Sequence, residues 1–121
     1  MEISVIIPVF NRPRLVSGAL ASVLAQTYRD YEIVVVDDGS TDETPEVLAR
    51  FAREAREEVG APRVRILRTP HSGKPGAVRN RGAEEARGRL LAFLDSDDQW
   101  MPPKLEEQQR LHEGPGPRFS H

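Results

Sequence analysis

Four short apolar runs rich in β-branched residues punctuate the chain: Ile3–Phe10, Tyr31–Val36, Arg63–Leu67 and Leu90–Leu94. All but the third are nearly continuous rather than alternating, the pattern of strands covered on both faces. Between them the period becomes helical. In Pro13–Thr27, Leu15, Ala19, Val23 and Thr27 recur every fourth residue, with Val16, Leu20 and Leu24 alongside. Thr44–Val59 repeats the pattern through Val47, Leu48, Phe51, Ala52 and Ala55. Asp42 or Thr44 can cap it, and Pro45 suits a first helical turn. Pro75–Arg87 and Pro102–His112 predict two further helices, the first interrupted by Gly82 and the second opened by prolines. Strand and helix alternate throughout, which predicts an α/β fold: a three-layer α/β/α sandwich with a mainly parallel sheet and right-handed crossovers. Gly114-Pro115-Gly116-Pro117 ends any helix, so the expected organisation is one domain over 1–113 and a Gly/Pro-rich tail over 114–121.

Composition narrows the function classes. With 121 residues, 38% of them apolar, the chain fits one domain with a core that needs no staples. The absence of cysteine excludes disulfides, thiolate metal sites and cysteine nucleophiles. The longest unbroken apolar run is Leu90–Leu94, far short of a membrane span, and no basic segment with a long apolar stretch opens the chain. A cytoplasmic location is the expectation. A net charge of −2 provides no global field for nucleic acid or an anionic membrane.

The aspartates are unevenly placed. Of seven, three are Asp37, Asp38 and Asp42, and three are Asp95, Asp97 and Asp98. Both clusters directly follow a predicted strand, and in folds of this kind ligands bind beyond the carboxyl ends of the strands. Asp95-Ser96-Asp97-Asp98 is either a solvated turn whose side chains cap backbone amides or a site for a hard cation such as Mg²⁺ or Mn²⁺. In the other cluster, Asp-Gly turn chemistry and a helix cap account for Gly39, Ser40 and Asp42. They account less well for two adjacent aspartates ending an apolar strand.

Between the clusters, His71-Ser72-Gly73-Lys74-Pro75-Gly76 leads into a predicted helix and suggests an anion cradle, or else an ordinary loop. Neither a Walker loop nor G-x-G-x-x-G is present. His71 and His112 have no partners at metal-ligand spacing and read as surface residues. Trp100 and Phe93 read as core.

Five stretches in order resemble the landmarks of the family 2 glycosyltransferases. They are Ile3–Asn11 (ISVIIPVFN), Ser22–Tyr28 (SVLAQTY), Glu32–Asp42 (EIVVVDDGSTD), Ala77–Gly82 (AVRNRG) and Leu91–Asp98 (LAFLDSDD). The resemblance spans Ile3 to about Pro103. It implies a GT-A fold, Rossmann-like, that binds a nucleotide-diphosphate sugar, usually a UDP-sugar, with Mn²⁺ or Mg²⁺. Carried over residue by residue, it puts Pro8 and its neighbours, Asn11 included, beside the nucleotide. Asp38, with Asp37 behind it, would meet the uracil or ribose. Asp95-Ser96-Asp97 would be the D-x-D motif, Asp97 ligating the metal and Asp95 contacting metal-bound water or ribose. Lys74 and Arg79 would approach the diphosphate.

The same family implies inverting transfer of the sugar to a glycan, lipid or protein acceptor hydroxyl, assisted by a carboxylate base. Beyond Asp98 the carboxylates are Glu106, Glu107 and Glu113, and none matches the family's base motif. The base is therefore expected beyond His121, and the sequence reads as the donor-binding half of a transferase or as a nucleotide-binding module. A phospho-receiver domain is the disfavoured alternative, because its acidic pair follows the first strand, whereas a complete strand and helix precede Asp37-Asp38, and only 26 residues follow Asp95. An open sheet edge makes self-association an expectation.

Overall fold

The computed structural model describes residues 2–111 and 118–120. The expectations for His112, Glu113 and the turn over 114–117 lie outside them. Strands β1 (Ile3–Val9), β2 (Tyr31–Asp37), β3 (Arg63–Arg68), β4 (Leu90–Phe93) and β5 (Arg118–Ser120) form one sheet in the order β3-β2-β1-β4-β5, every pair parallel. Helices α1 (Pro13–Leu24), α2 (Thr44–Glu57), α3 (Pro75–Glu85) and α4 (Lys104–Leu111) fill the intervals. No helix among the described residues is long and apolar enough to cross a membrane.

The continuous apolar runs are explained by two-sided burial. Val5, Ile7 and Val9 of β1, with Ile33 and Val35 of β2, face one core together with Val16, Leu20 and Val23 of α1, Leu48 of α2 and Leu105 of α4. Ile6, Val34 and Val36 face the other side, where Val78 of α3 covers them. Trp100 packs against the first core and Phe93 against the second, as expected for both. Each side chain of this kind stabilises the fold by about 1.5–3 kcal/mol when fully buried.

Most element boundaries fall within two residues of those the periodicity predicts, and two larger differences stand out. α1 stops at Leu24, not Thr27, because Gln26 turns inward to a tertiary role. Its Nε2 donates to the Met101 carbonyl at 2.9 Å and its Oε1 accepts the Leu105 N–H at 2.9 Å, while the Thr27 N–H donates to the Pro102 carbonyl. Residues 118–120, read as tail, instead pair with β4. A three-residue strand carries no periodicity from which to predict it.

The register sets the site. Val9 pairs with Asp37, the Asp38 N–H donates to the Val9 carbonyl at 2.9 Å, and the Leu94 N–H donates to the Ile6 carbonyl at 3.0 Å. The two aspartate clusters therefore flank β1 at one sheet edge. At the opposite end, fully buried Glu32 accepts from the Ser4 hydroxyl at 2.6 Å and the Arg87 N–H at 2.7 Å, with Arg65 Nη2 at 3.3 Å. That knot satisfies a buried charge and joins β1, β2, β3 and the α3–β4 turn.

Candidate functional site

At the carboxyl edge of the sheet, a cleft of about 360 Å³ opens between the ends of β1, β2 and β4 and the start of α3. Pro8, Asp38, Arg79, Asp95, Ser96 and Asp97 line it, which brings together residues up to 89 positions apart that the sequence marked separately. Asn11, Asp37 and Lys74 do not.

Asp37 and Asp38 divide by strand geometry. Consecutive side chains at a strand's end point to opposite faces. Asp37, 1% exposed, accepts the Ser40 N–H on Oδ1 at 2.9 Å and has Arg68 Nη1 at 3.8 Å from Oδ2. Its role is to set the β2–α2 turn. Asp38 faces the cleft and holds the β3–α3 loop. Oδ1 accepts the Ser72 N–H at 2.9 Å and the Ser72 hydroxyl at 3.2 Å, and Oδ2 accepts the Gly73 N–H at 3.1 Å. Burial pushes its carboxyl up, but these bonds from Ser72 and Gly73, with His71 beside it, outweigh burial and leave it below the ordinary value. The glycine-bearing loop turns its Ser72 and Gly73 N–H groups onto the protein's own Asp38 carboxylate. Lys74 stands outside, its N–H donating to the Ser72 hydroxyl at 3.2 Å.

Asn11 is a pin between loops. It adopts φ 49°, a left-handed conformation that asparagine tolerates better than most residues. Its Oδ1 accepts from the Thr41 N–H at 2.8 Å and the Asp42 N–H at 3.3 Å, and its own N–H donates to the Ser40 hydroxyl at 2.9 Å. The β1–α1 loop is thereby fixed to the β2–α2 loop. Neither Asp42 nor Thr44 is the N-cap of α2: that position is Glu43, which makes no side-chain cap bond, and Asp42 Oδ1 instead closes the turn before it by accepting the Thr44 N–H at 2.8 Å. Gly39, at φ 74°, lies so close to the β3–α3 loop that a Cβ there would meet the His71 backbone nitrogen at 2.7 Å.

Sequence spacing missed His71 and Phe10. Their rings stack with centroids 4.1 Å apart, and both line the cleft. His71 Nδ1 stands 3.0 Å from the Asp38 carbonyl oxygen and 3.2 Å from Oδ2. Local spacing marks His71 only as a surface residue, because its partner lies 33 positions away. The signal available was Phe10 itself, an aromatic directly after an apolar strand at the binding edge.

On the far wall, Arg79 Nη2 donates to Asp95 Oδ1 at 2.9 Å, and Arg12 Nη1 lies 3.9 Å from Asp97 Oδ2. Asp98 takes the solvated-turn role, its Oδ1 accepting the Gln99 N–H at 2.9 Å. Asp95 and Asp97 are half-exposed oxygen donors of the kind that suits a hard divalent cation. No group of three metal-ligating side chains occurs among the described residues. Two carboxylates fit a cation that completes its shell with phosphate oxygens and water, the usual arrangement for Mg²⁺.

The chain matches known proteins over part of their length. A UDP-Glc:alpha-D-GlcNAc-diphosphoundecaprenol beta-1,3-glucosyltransferase of Escherichia coli is 36% identical over 106 residues, which is 88% of this chain and 39% of that one. The crystal structure of Staphylococcus aureus TarS 1-349 in complex with UDP-GlcNAc superposes with a TM-score of 0.79 at 30% identity, covering 91% of this chain and 30% of that one. A mannosyltransferase from Pyrobaculum calidifontis, solved with GDP-Man and Mn²⁺, gives a TM-score of 0.85 at 26% identity, covering 94% of this chain and 33% of that one. Against curated relatives the chain spans between 15% and 40% of their length. The fold is that of the GT-A glycosyltransferases. Residues 4–120, which include every group in the cleft, match the model of glycosyl transferase family 2, and the chain belongs to that family.

Proposed function

We propose that the cleft binds a nucleoside-diphosphate sugar, a UDP-sugar by preference, with Mn²⁺ or Mg²⁺, as the donor site of an inverting glycosyltransferase. The observation that carries this reading is convergence. A carboxylate acceptor, an aromatic wall and a carboxylate pair with two arginines meet in one cleft of about 360 Å³.

The nucleoside belongs at the Phe10, His71 and Asp38 end. A carboxylate matches a base N–H or ribose hydroxyl as acceptor. Asp38 Oδ1 and Oδ2 already accept from the Ser72 and Gly73 backbones, so a base N–H replaces the Ser72 hydroxyl or His71, the partners that rotate. The diphosphate belongs between Arg79, Arg12 and the two rim carboxylates. Asp95 and Asp97 would hold the cation, which when bound neutralises charge on the departing nucleoside diphosphate. Arg79 and Arg12 orient the phosphates, and Pro8 and Val78 keep one side of the cleft dry.

Calorimetry with UDP and with GDP, each with Mn²⁺ or with chelator, tests the reading. UDP binding that tightens with Mn²⁺ is expected; equal affinity in both conditions removes the metal. Tighter GDP than UDP would reassign the base.

A nucleotide-binding module without turnover is the second reading, and the cleft lining favours it. Asp38, Asp95 and Asp97 are the carboxylates in that lining, and each already has a binding role. Glu106 sits on α4, accepting from the Thr27 hydroxyl at 2.9 Å and from Arg110 at 2.7 Å. A sugar-transfer assay run beside the titrations separates the two.

A further inference from the structure

The cleft holds its rim carboxylates against arginines. Arg79, on the second turn of α3, reaches across to Asp95 beyond β4, Nη2 to Oδ1 at 2.9 Å. Its Nε–H is buried and has no acceptor among the described residues, so the guanidinium has a donor in reserve.

We infer that Arg79 is an exchangeable partner that couples cation binding to diphosphate binding, an inference that rests on the donor-site reading above. The argument is competition for one carboxylate. A cation ligated by Asp95 Oδ1 takes that oxygen from the guanidinium, since two positive groups crowding one oxygen repel. A cation arriving alone leaves Arg79 without its anion. A cation arriving with a diphosphate does not, because the planar guanidinium fork passes to phosphate oxygens, for which its geometry is suited. Arg79 therefore opposes the bare ion and supports the ion–diphosphate pair. By linkage, each ligand raises the affinity of the other by the same factor.

Opposite signs in two titrations make the test. Mn²⁺ alone is followed by electron paramagnetic resonance of the free ion, and UDP in saturating Mn²⁺ by calorimetry, for wild type, Arg79→Met and Arg79→Lys. Arg79→Met is expected to bind bare Mn²⁺ about 1.5- to 5-fold tighter, the scale of an exposed ion pair. It is expected to bind UDP at least about tenfold weaker, the scale of a lost charge-assisted phosphate contact. Arg79→Lys, which keeps the charge, moves both values back toward wild type. Bare Mn²⁺ bound no tighter by Arg79→Met than by wild type would overturn the inference, and a loosened fold, which weakens both titrations, would count the same way. Wild type that binds no UDP in Mn²⁺ would overturn the donor-site reading and this inference with it. Loss of the opposite signs with wild-type UDP binding intact overturns this inference alone.

Discussion

Asp37 and Asp38 are adjacent in sequence and serve opposite sides of the sheet's edge. Asp37 accepts the Ser40 N–H within its own turn, while Asp38 accepts the N–H groups of Ser72 and Gly73 from a loop more than thirty residues on. One carboxylate builds the turn and the other closes the cleft.

Substituting each should therefore fail differently. Asp37→Ala leaves a buried N–H unpaired and should lower unfolding stability by about 1–3 kcal/mol, read from urea denaturation, with little change in UDP affinity in what remains folded. Asp38→Ala should weaken uridine and UDP alike, by about 5- to 150-fold, the equivalent of 1–3 kcal/mol. Uridine affinity unchanged in Asp38→Ala would remove the base from that end of the cleft.

Asp97 makes a cleaner test of the metal. It is half exposed, its nearest charged partner is Arg12 at 3.9 Å, and such a pair is worth at most about 1 kcal/mol. Asp97→Ala should keep the wild-type melting temperature within a few degrees yet lose the increment in UDP affinity that Mn²⁺ provides. A persistent increment would leave Asp95 as sufficient.

What the sequence shows of this site follows from how local each signal is. Strand ends carrying Asp38 and Asp95 are legible because apolar runs stop abruptly there, and the α/β order brings those ends to one edge. The partners of those carboxylates are not legible in the same way. Asp38 meets Ser72 and Gly73, and Asp95 meets Arg79, only through tertiary folding. Gln26 shows the same limit in the fold: a polar residue at the end of a helical period, it is 2% exposed because Met101 and, in the first turn of α4, Leu105 supply its bonds.

Acid should loosen the protein in a defined window. The carboxyl of Asp38 lies below its ordinary value despite burial, through its bonds to Ser72 and Gly73, and Asp42 and Glu85 are held low by bonds from Thr44 and Arg81. A carboxyl depressed in the folded state binds protons more readily when unfolded. Its stabilisation is complete above the unfolded value, near 3.8 for Asp, and is lost as pH falls through the lower folded value. The urea midpoint should be flat from about pH 5 to 7 and fall below about pH 4. Asp38→Asn should flatten part of that fall. An unchanged acid limb in Asp38→Asn would mean that Asp38 contributes nothing to it.

Gly82 weakens the helical pattern of α3 on paper and is nevertheless required by packing. A Cβ there would lie 2.5 Å from Ile6 Cγ2 and 3.0 Å from Val36 Cγ2, both on stiff β-branched side chains in the sheet core. Alanine gains about 1 kcal/mol over glycine in a helix interior, whereas overpacking a filled core costs about 1–3 kcal/mol. The clash should win, with Gly82→Ala losing about 1–2 kcal/mol in urea denaturation. Gly76, earlier in the same helix, has nothing within 4 Å of a Cβ, so only the propensity gain acts there. Gly76→Ala should be neutral or stabilising by up to about 1 kcal/mol. The two substitutions are chemically identical and share one helix, so a difference in sign isolates the contact with β1 and β2. Equal effects from both would mean that α3 can lift from the sheet without loss, and that its seat on Ile6 and Val36 does not fix the position of Arg79.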